Sequence, residues 1–319
     1  MMVLEEFLKP TQNKLFKMLG RLFKGNTYTS KDSFILVEGD VPIMLVAHLD
    51  TVHREPVREI CRSKGGEILM SPQGIGGDDR CGVYALVSAY EMSKKKPWLL
   101  FTCDEEIGGI GARHFCTEHE EGLLPKGLDE LKLLVEIDRR GSNDAVYYDC
   151  DNSAFEKYIS SKGFVTAYGS FSDISLVAPE LGVAAVNLSS GYYNPHCLHE
   201  YINRRELDEV VKKVVEIIGD AAKKSFPKYR YVEKVHEIRQ WASISLPKID
   251  TKKLSDYSDE EFFFETRKRL PSEYHELYDE LLEFYTAEEL ESYREDFGDE
   301  VIYQLYIDEY GPFYAEYEK

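Results

Sequence analysis

Apolar residues fall along this chain in two rhythms. From Thr11 to Phe23, Leu15, Met18, Leu19 and Leu22 recur three and four apart, the spacing that lines one face of a helix. The runs SFILVEG (33–39) and PIMLVAH (42–48) are short and nearly unbroken instead. They predict strands, the second buried on both faces of a sheet. A hairpin is expected around Lys64-Gly65-Gly66. Beyond it the glycine-rich GIGGDDRCG (74–82) leads into VYALVSAYEMSKKK (83–96), a helix ending in lysines that favour its C-terminal dipole. PWLLFTCDEE (97–106) and LKLLVEID (131–138) are further strands that start apolar and finish in carboxylates, with the turn and short helix of GGIGARHF (108–115) between them. Helices near 152–161 and 172–179, the strand VAAVNLSS (183–190) and a long helix over 205–224 complete this half.

Apolar strands alternating with helices predict an α/β fold of three layers, α/β/α, on a mixed sheet that is parallel at its centre. After residue 224 the text changes. Acidic residues outnumber basic ones about two to one from 225 to 319, and Tyr and Phe are frequent. Phrases such as SDEEFFFETRKRL keep apolar positions three and four apart, so a helical C-terminal appendage is expected rather than an acidic disordered tail. The division is therefore 1–224 for a catalytic domain and 225–319 for the appendage.

Composition narrows the function. The 319 residues are 43% hydrophobic and 30% charged, which is ordinary for a protein with a full core. A formal charge of −19 would repel a polyphosphate or an anionic membrane surface, so neither nucleic acid nor membrane is an expected partner. Six cysteines form no CxxC pair and no compact disulfide framework. No export signal or long apolar span is present, and reduced thiols in a cytoplasm are the expectation.

The candidate chemistry lies at the C-terminal tips of the buried strands, where open α/β sheets place their sites. His48 and Asp50 in AHLDTVH are two apart, so the carboxylate can orient the imidazole. Asp78 and Asp79 sit together in the glycine-rich loop, where two adjacent carboxylates repel unless cations neutralise them. Glu105 and Glu106 repeat the pattern, Asp138 follows at the end of LLVEID, and NPHCLHEY adds His196 and His199. Mixed imidazole and carboxylate donors suit zinc, with cobalt or manganese as substitutes. Five ligands exceed one catalytic zinc, but a bridging carboxylate would let them serve two. Charges of +4 from two ions against −3 from Asp78, Glu106 and Asp138 leave about +1, which a bound hydroxide neutralises.

The order AHLDTVH, GGDDRCG, DEEIGGIGA, EID and GYYNPHCLHEY resembles the co-catalytic di-zinc exopeptidases, especially peptidase T and its aminopeptidase relatives, over residues 40–205. The resemblance implies a phosphorylase/hydrolase-like core. It makes His48 and Asp138 ligands of one zinc, Glu106 and His196 ligands of the other, and Asp78 the bridge. Asp50 becomes the residue that orients His48, and Glu105 the general base that activates a metal-bridging water. It also implies a cis peptide between Asp78 and Asp79. His196 is preferred to His199 because the family's metal histidine lies four residues before a glutamate, here Glu200.

Many relatives insert a lid or dimerisation domain that this chain has no room for, so the architecture resembles the lid-less aminopeptidases. The acidic appendage is expected to narrow the cleft or make a subunit contact in a homo-oligomer. The leading expectation is hydrolysis of short peptides by an aminopeptidase or di/tripeptidase. An N-acyl amino acid amidohydrolase and an inactive metal-binding protein are the alternatives. His53, His114 and His119 read as surface or helix-end histidines. Cys81, Cys103 and Cys197 read as packing residues, while Arg139, Arg140, Tyr192 and Tyr193 read equally as substrate contacts or as partners of nearby acids.

Overall fold

A computed structural model describes residues 2–30, 33–169 and 171–234, with scattered positions between 277 and 305. The chain divides into two compact units, Met1–Val235 and His236–Lys319. The first opens with helices α1 (Glu5–Leu8) and α2 (Gln12–Leu22), then strands β1 (Thr27–Ser30), β2 (Phe34–Val37), β3 (Val41–His48), β4 (Cys61–Arg62) and β5 (Ile68–Met70). Helix α3 (Gly77–Met92), β6 (Pro97–Thr102), α4 (Ile110–Glu120), β7 (Leu133–Arg139), β8 (Asp144–Val146) and α5 (Ser153–Ser160) follow. The unit continues with β9 (Val165–Thr166), α6 (Ile174–Leu181), β10 (Ala185–Ser189), β11 (Tyr192–Tyr193), β12 (Tyr201–Asn203) and α7 (Arg204–Ala221).

Eight strands form the main sheet in the order β1-β2-β6-β3-β7-β10-β8-β9. The central four, β6, β3, β7 and β10, are parallel, and antiparallel pairs flank them at β2 and β8. The sheet is thus mixed and parallel at its centre, as the pattern of apolar runs predicts.

The unbroken strands are apolar at successive positions because each face has its own core. Ile35, Val37, Ile43, Leu45, Ala47, Leu99, Phe101, Val135 and Ile137 point to one side, where α2, α3, α5 and α7 pack. Phe34, Leu36, Met44, Val46, Trp98, Leu100 and Leu134 point to the other, against α4 and α6. Successive side chains of a strand alternate between faces, so burying both faces requires apolar residues at both parities. The three-layer arrangement follows directly.

The hairpin around Lys64-Gly65-Gly66 forms, but as part of a second sheet, β11-β12-β5-β4, that the apolar pattern does not announce. Its strands have two or three residues each, too short to show a period. No described helix is long and apolar enough to cross a membrane.

The division falls after Val235 rather than after 224. Residues 225–234 stay with the first unit through main-chain bonds: Tyr229 N–H donates to Lys132 O, its carbonyl accepts from Ala184, and Lys234 N–H donates to Asp149 O. Polar text there hides a segment that runs along the sheet. Among the described residues of the second unit, Tyr278, Leu281, Leu290, Val301, Ile302 and Leu305 are buried. Most of the helical appendage expected over 225–319 lies outside the described residues.

Two glycines separate backbone freedom from backbone crowding. A Cβ on Gly111 would lie 2.5 Å from the Ser33 carbonyl oxygen and 2.6 Å from the Cys103 nitrogen, whereas one on Gly20, inside α2, meets nothing within 4 Å. Gly111→Ala should destabilise the fold by about 1–3 kcal/mol through overpacking. Gly20→Ala should stabilise it by about 0.5–1 kcal/mol through helix propensity. Urea melts of the two variants would give opposite signs; equal shifts would contradict the packing described.

Candidate metal centre

The parallel strands deliver their last residues to one edge. β3 ends on His48, which is 1% exposed. Its Nδ1 is 3.2 Å from Asp50 Oδ1, and its Nε2 faces Asp78 Oδ1 at 3.1 Å, Asp138 Oδ1 at 3.6 Å and Glu105 Oε2 at 3.9 Å. Asp50 does more than orient the ring. Its two oxygens also accept the Glu105 N–H at 3.1 Å and the Glu106 N–H at 3.0 Å, tying the end of β3 to the loop after β6. Burial alone would raise the Asp50 carboxyl; the bond to His48, its charge and these two amides outweigh it and hold the pKa below the usual range.

Asp78 and Asp79 are joined by a cis peptide, as the resemblance implies, and their carboxylates do different work. Asp78 reaches His48 with Oδ1 and His196 Nε2 with Oδ2, the second at 3.4 Å. Asp79, fully buried, accepts the N–H of His48 at 3.3 Å and of Gly82 at 2.9 Å. A Cβ at Gly82 would fall 2.2 Å from the Ile137 carbonyl oxygen, so that close approach requires glycine.

Glu106 Oε2 lies 3.4 Å from His196 Nε2, and its Oε1 is buried without a hydrogen-bond partner. His196 itself sits in the connection between β11 and β12, with φ +63° and its side chain 42% exposed. Asp138 is held from behind: Asn187 accepts its N–H through Oδ1 at 2.9 Å, and the Tyr192 hydroxyl donates to its carbonyl at 3.2 Å. The seven residues to which the resemblance gives roles as ligand, orienter or base, His48, Asp50, Asp78, Glu105, Glu106, Asp138 and His196, therefore meet at one edge.

The charge balance is lopsided. Burial, then the neighbouring charges, push the Glu105, Asp79 and Glu136 carboxyls well above the usual range. Burial also raises Asp138 to about 7, with Asp78 adding to the rise, and Asp173 to about 6. The hydrogen bonds of Asp78 and Glu106 lift His196 to about 11. Burial would lower His48, but the Asp138 charge and bonds to Asp138, Asp50 and Asp78 raise it well above its ordinary value. Such a set holds protons where cations would sit.

The donor set fits metal coordination. Zinc bonds of roughly 2.0–2.2 Å at tetrahedral angles put neighbouring ligand atoms about 3.3 Å apart. The separations from His48 Nε2 to Asp78 and Asp138 are 3.1 and 3.6 Å, and those from His196 Nε2 to Asp78 and Glu106 are 3.4 Å each. Donor atoms of His48, Asp78 and Glu106, and of His48, Asp79 and Asp138, also fall within 4.8 Å of one another. The second of these groups includes Asp79, but its oxygens are already engaged by two backbone N–H groups, which leaves Asp78 as the carboxylate facing both histidines.

Several supporting residues escape sequence reasoning. His53, expected at the surface or a helix end, turns its side chain inward against Glu200, with Nε2 2.8 Å from Oε2. Gln12 grips the tip before the paired glutamates, donating to Asp104 Oδ1 at 2.8 Å and accepting the Asp104 N–H at 3.2 Å. Asp104 has φ +59°. Arg80, next to Asp79, donates through Nη1 to the carbonyls of Phe7 and Pro10. Glu136 and Asp173 are fully buried behind Asp138, bonded to Ser172 and Thr102 respectively, each with one oxygen left unpartnered. Glu136 had a legible signal: two positions before Asp138 on a strand, it shares that residue's face. Tyr192 bonds to Asp138, Cys81 and Cys103 are buried, and His199 reaches Cys197 instead of the cluster.

No protein-family model and no curated protein sequence matches the chain. Solved structures do. Aminopeptidase PepT from Bacillus cereus is 14% identical with a TM-score of 0.54, covering 69% of this chain and 97% of its own. A tripeptidase from Staphylococcus aureus is 14% identical with a TM-score of 0.53, covering 68% and 96%. PhTET1-12s, a dodecamer in its crystal, is 14% identical with a TM-score of 0.50, covering 67% and 97%. These likenesses show the fold, and it is the α/β/α arrangement on a mixed sheet expected from the sequence.

The raised carboxyls make stability without metal depend on pH in a definite direction. Asp138 and Asp173 keep in the fold protons that the unfolded chain releases near pH 4, and His48 and His196 keep theirs past about pH 6.5. The folded state binds more protons, so stability falls as pH rises from about 4 to 7 and continues to fall as the histidines deprotonate. The depressed Asp50 and Asp78 act below that window. Thermal melts in chelator should show Tm decreasing from pH 5 to 7.5; an increase would contradict the charge balance described.

Proposed function

We propose that this chain is a metallopeptidase that hydrolyses short peptides with two zinc ions. His48 and Asp138 would hold one ion, Glu106 and His196 the other, and Asp78 both. The reading rests on one observation: the Asp78 carboxylate divides its oxygens between two histidines on separate loops, 3.1 Å from His48 and 3.4 Å from His196. A carboxylate so placed suits a bridge between neighbouring cations. The aminopeptidase and tripeptidase neighbours in fold support peptides as the substrate class, and the dodecameric neighbour supports a homo-oligomer.

Bound there, the ions would polarise the scissile carbonyl and acidify a water. The protein's own part is to hold them and to move the proton. Glu105 is suited to that transfer because it lies 3.9 Å from His48 at the cluster and burial raises its carboxyl well above the usual range, making it a stronger base than an exposed glutamate. It would take the proton from the attacking water and deliver it to the leaving nitrogen. Asp50 fixes the tautomer of His48 through Nδ1, leaving Nε2 free to coordinate. Its grip on the Glu105 and Glu106 amides keeps base and ligand in register.

Glu105→Gln should keep two zinc ions per chain while turnover of di- and tripeptides falls by about 10²–10⁴-fold. Metal analysis beside a peptide assay checks this. Parallel loss of zinc would place Glu105 among the ligands, and an unmodified, zinc-loaded chain inert towards peptides and amino-acid amides would overturn the reading.

A further inference from the structure

Glu200 is fully buried and lies on none of the strands that carry the central cluster. Its Oε1 accepts the N–H of Asp78 at 2.9 Å. Its Oε2 accepts the N–H of Gly76 at 2.9 Å and faces His53 Nε2 at 2.8 Å. One carboxylate thus engages three donors on two loops and is itself attached to a third. β3 and the loop after it carry His48 and His53, the start of α3 carries Asp78, and the connection between β11 and β12 carries His196 and Glu200.

The surrounding glycines are cut to this arrangement. A Cβ at Gly74, where φ is +81°, would lie 2.2 Å from the His53 ring. A Cβ at Gly77 would lie 2.6 Å from the Tyr192 Cβ and 3.0 Å from Glu200 Oε1. Ring and carboxylate therefore pack directly on the backbone of the turn. An ionised carboxylate only accepts, so against Glu200 in that form His53 presents Nε2–H, and a neutral replacement lacking a donor there would leave a buried oxygen half-satisfied.

We propose that Glu200 and His53 form an interlock that positions Asp78 against both His48 and His196, so that the two zinc subsites are assembled together. This rests on the metallopeptidase reading for its consequence and on hydrogen bonds alone for its mechanism. Both residues are positioning residues: neither faces the ligand atoms. Without Glu200 the amides of Gly76 and Asp78 and the His53 ring lose a common acceptor, and the bridging carboxylate loses the contact that fixes its main chain. Partners of this kind, one bond behind a metal ligand, are worth roughly 10–100-fold in metal affinity.

The test uses the full chain, stripped with chelator and titrated with zinc against a competing indicator, together with amide hydrogen exchange of the stripped protein. Glu200→Gln and His53→Phe should bind zinc about 10–100-fold more weakly, with Glu200→Gln speeding exchange at Gly76 and Asp78. His53→Gln, whose amide N–H stands where the ring Nε2–H stood, should stay close to the unmodified chain. Unchanged zinc affinity and exchange in Glu200→Gln would overturn the interlock, as would His53→Gln binding as weakly as His53→Phe. Should Glu200→Gln fail to fold, the contrast between the two His53 variants decides. If the unmodified chain binds no zinc, the functional reading falls, and the exchange comparison still judges the interlock.

Discussion

Mutual repulsion among carboxylates at one edge of the central sheet is the constraint on which the rest of this structure depends. Asp78, Asp79, Glu105, Glu106, Glu136, Asp138 and Asp173 gather within and behind one small region, most of them out of water. Buried charges persist only when paired, hydrogen-bonded or neutralised. Each loop around the cluster answers that demand in its own way. Backbone amides meet Asp50, Asp79 and Glu200, hydroxyls meet Glu136 and Asp173, and imidazoles meet Asp78, Glu106 and Asp138.

Adjacent acids accordingly divide their labour. Within Asp78-Asp79, the first faces two histidines and the second is spent on main-chain N–H groups. Within Glu105-Glu106, the second faces His196 while the first lies 3.9 Å from His48. Both pairs hang from Asp50 or from the backbone of β3, so the strand that carries His48 also sets the register of its neighbours. The double burial of β3 on the two cores is what makes that strand a fixed reference.

Much of this was legible in the sequence because it is local. Apolar runs that end in His or an acid mark a strand and its tip in the same few letters, which is how β3, β6 and β7 and their terminal residues could be read. The supporting residues were not legible, and the reason is distance along the chain. Gln12 meets Asp104, Glu200 meets Asp78 and His53, and Arg80 meets the carbonyls of Phe7 and Pro10. Nothing in the spacing of a polar residue says which far segment it will satisfy. The second sheet was legible only at its β4–β5 hairpin, which Gly65 and Gly66 mark; β11 and β12, of two and three residues, cannot display a period.

That second sheet changes how the centre is mounted. His48 and Asp138 stand on the main sheet, whereas His196 rides on the hairpin of β11 and β12, whose strand partners among the described residues are β5 and, through it, β4. The two halves of the centre thus stand on different sheets, one sunk in the core and the other carrying the half-exposed His196, joined by main-chain bonds from Gly141 to Tyr192 and Gly191. A change in the few residues around His196 is therefore felt on both sheets at once, because Tyr192 of that hairpin also holds the Asp138 carbonyl and Glu200 the Asp78 amide.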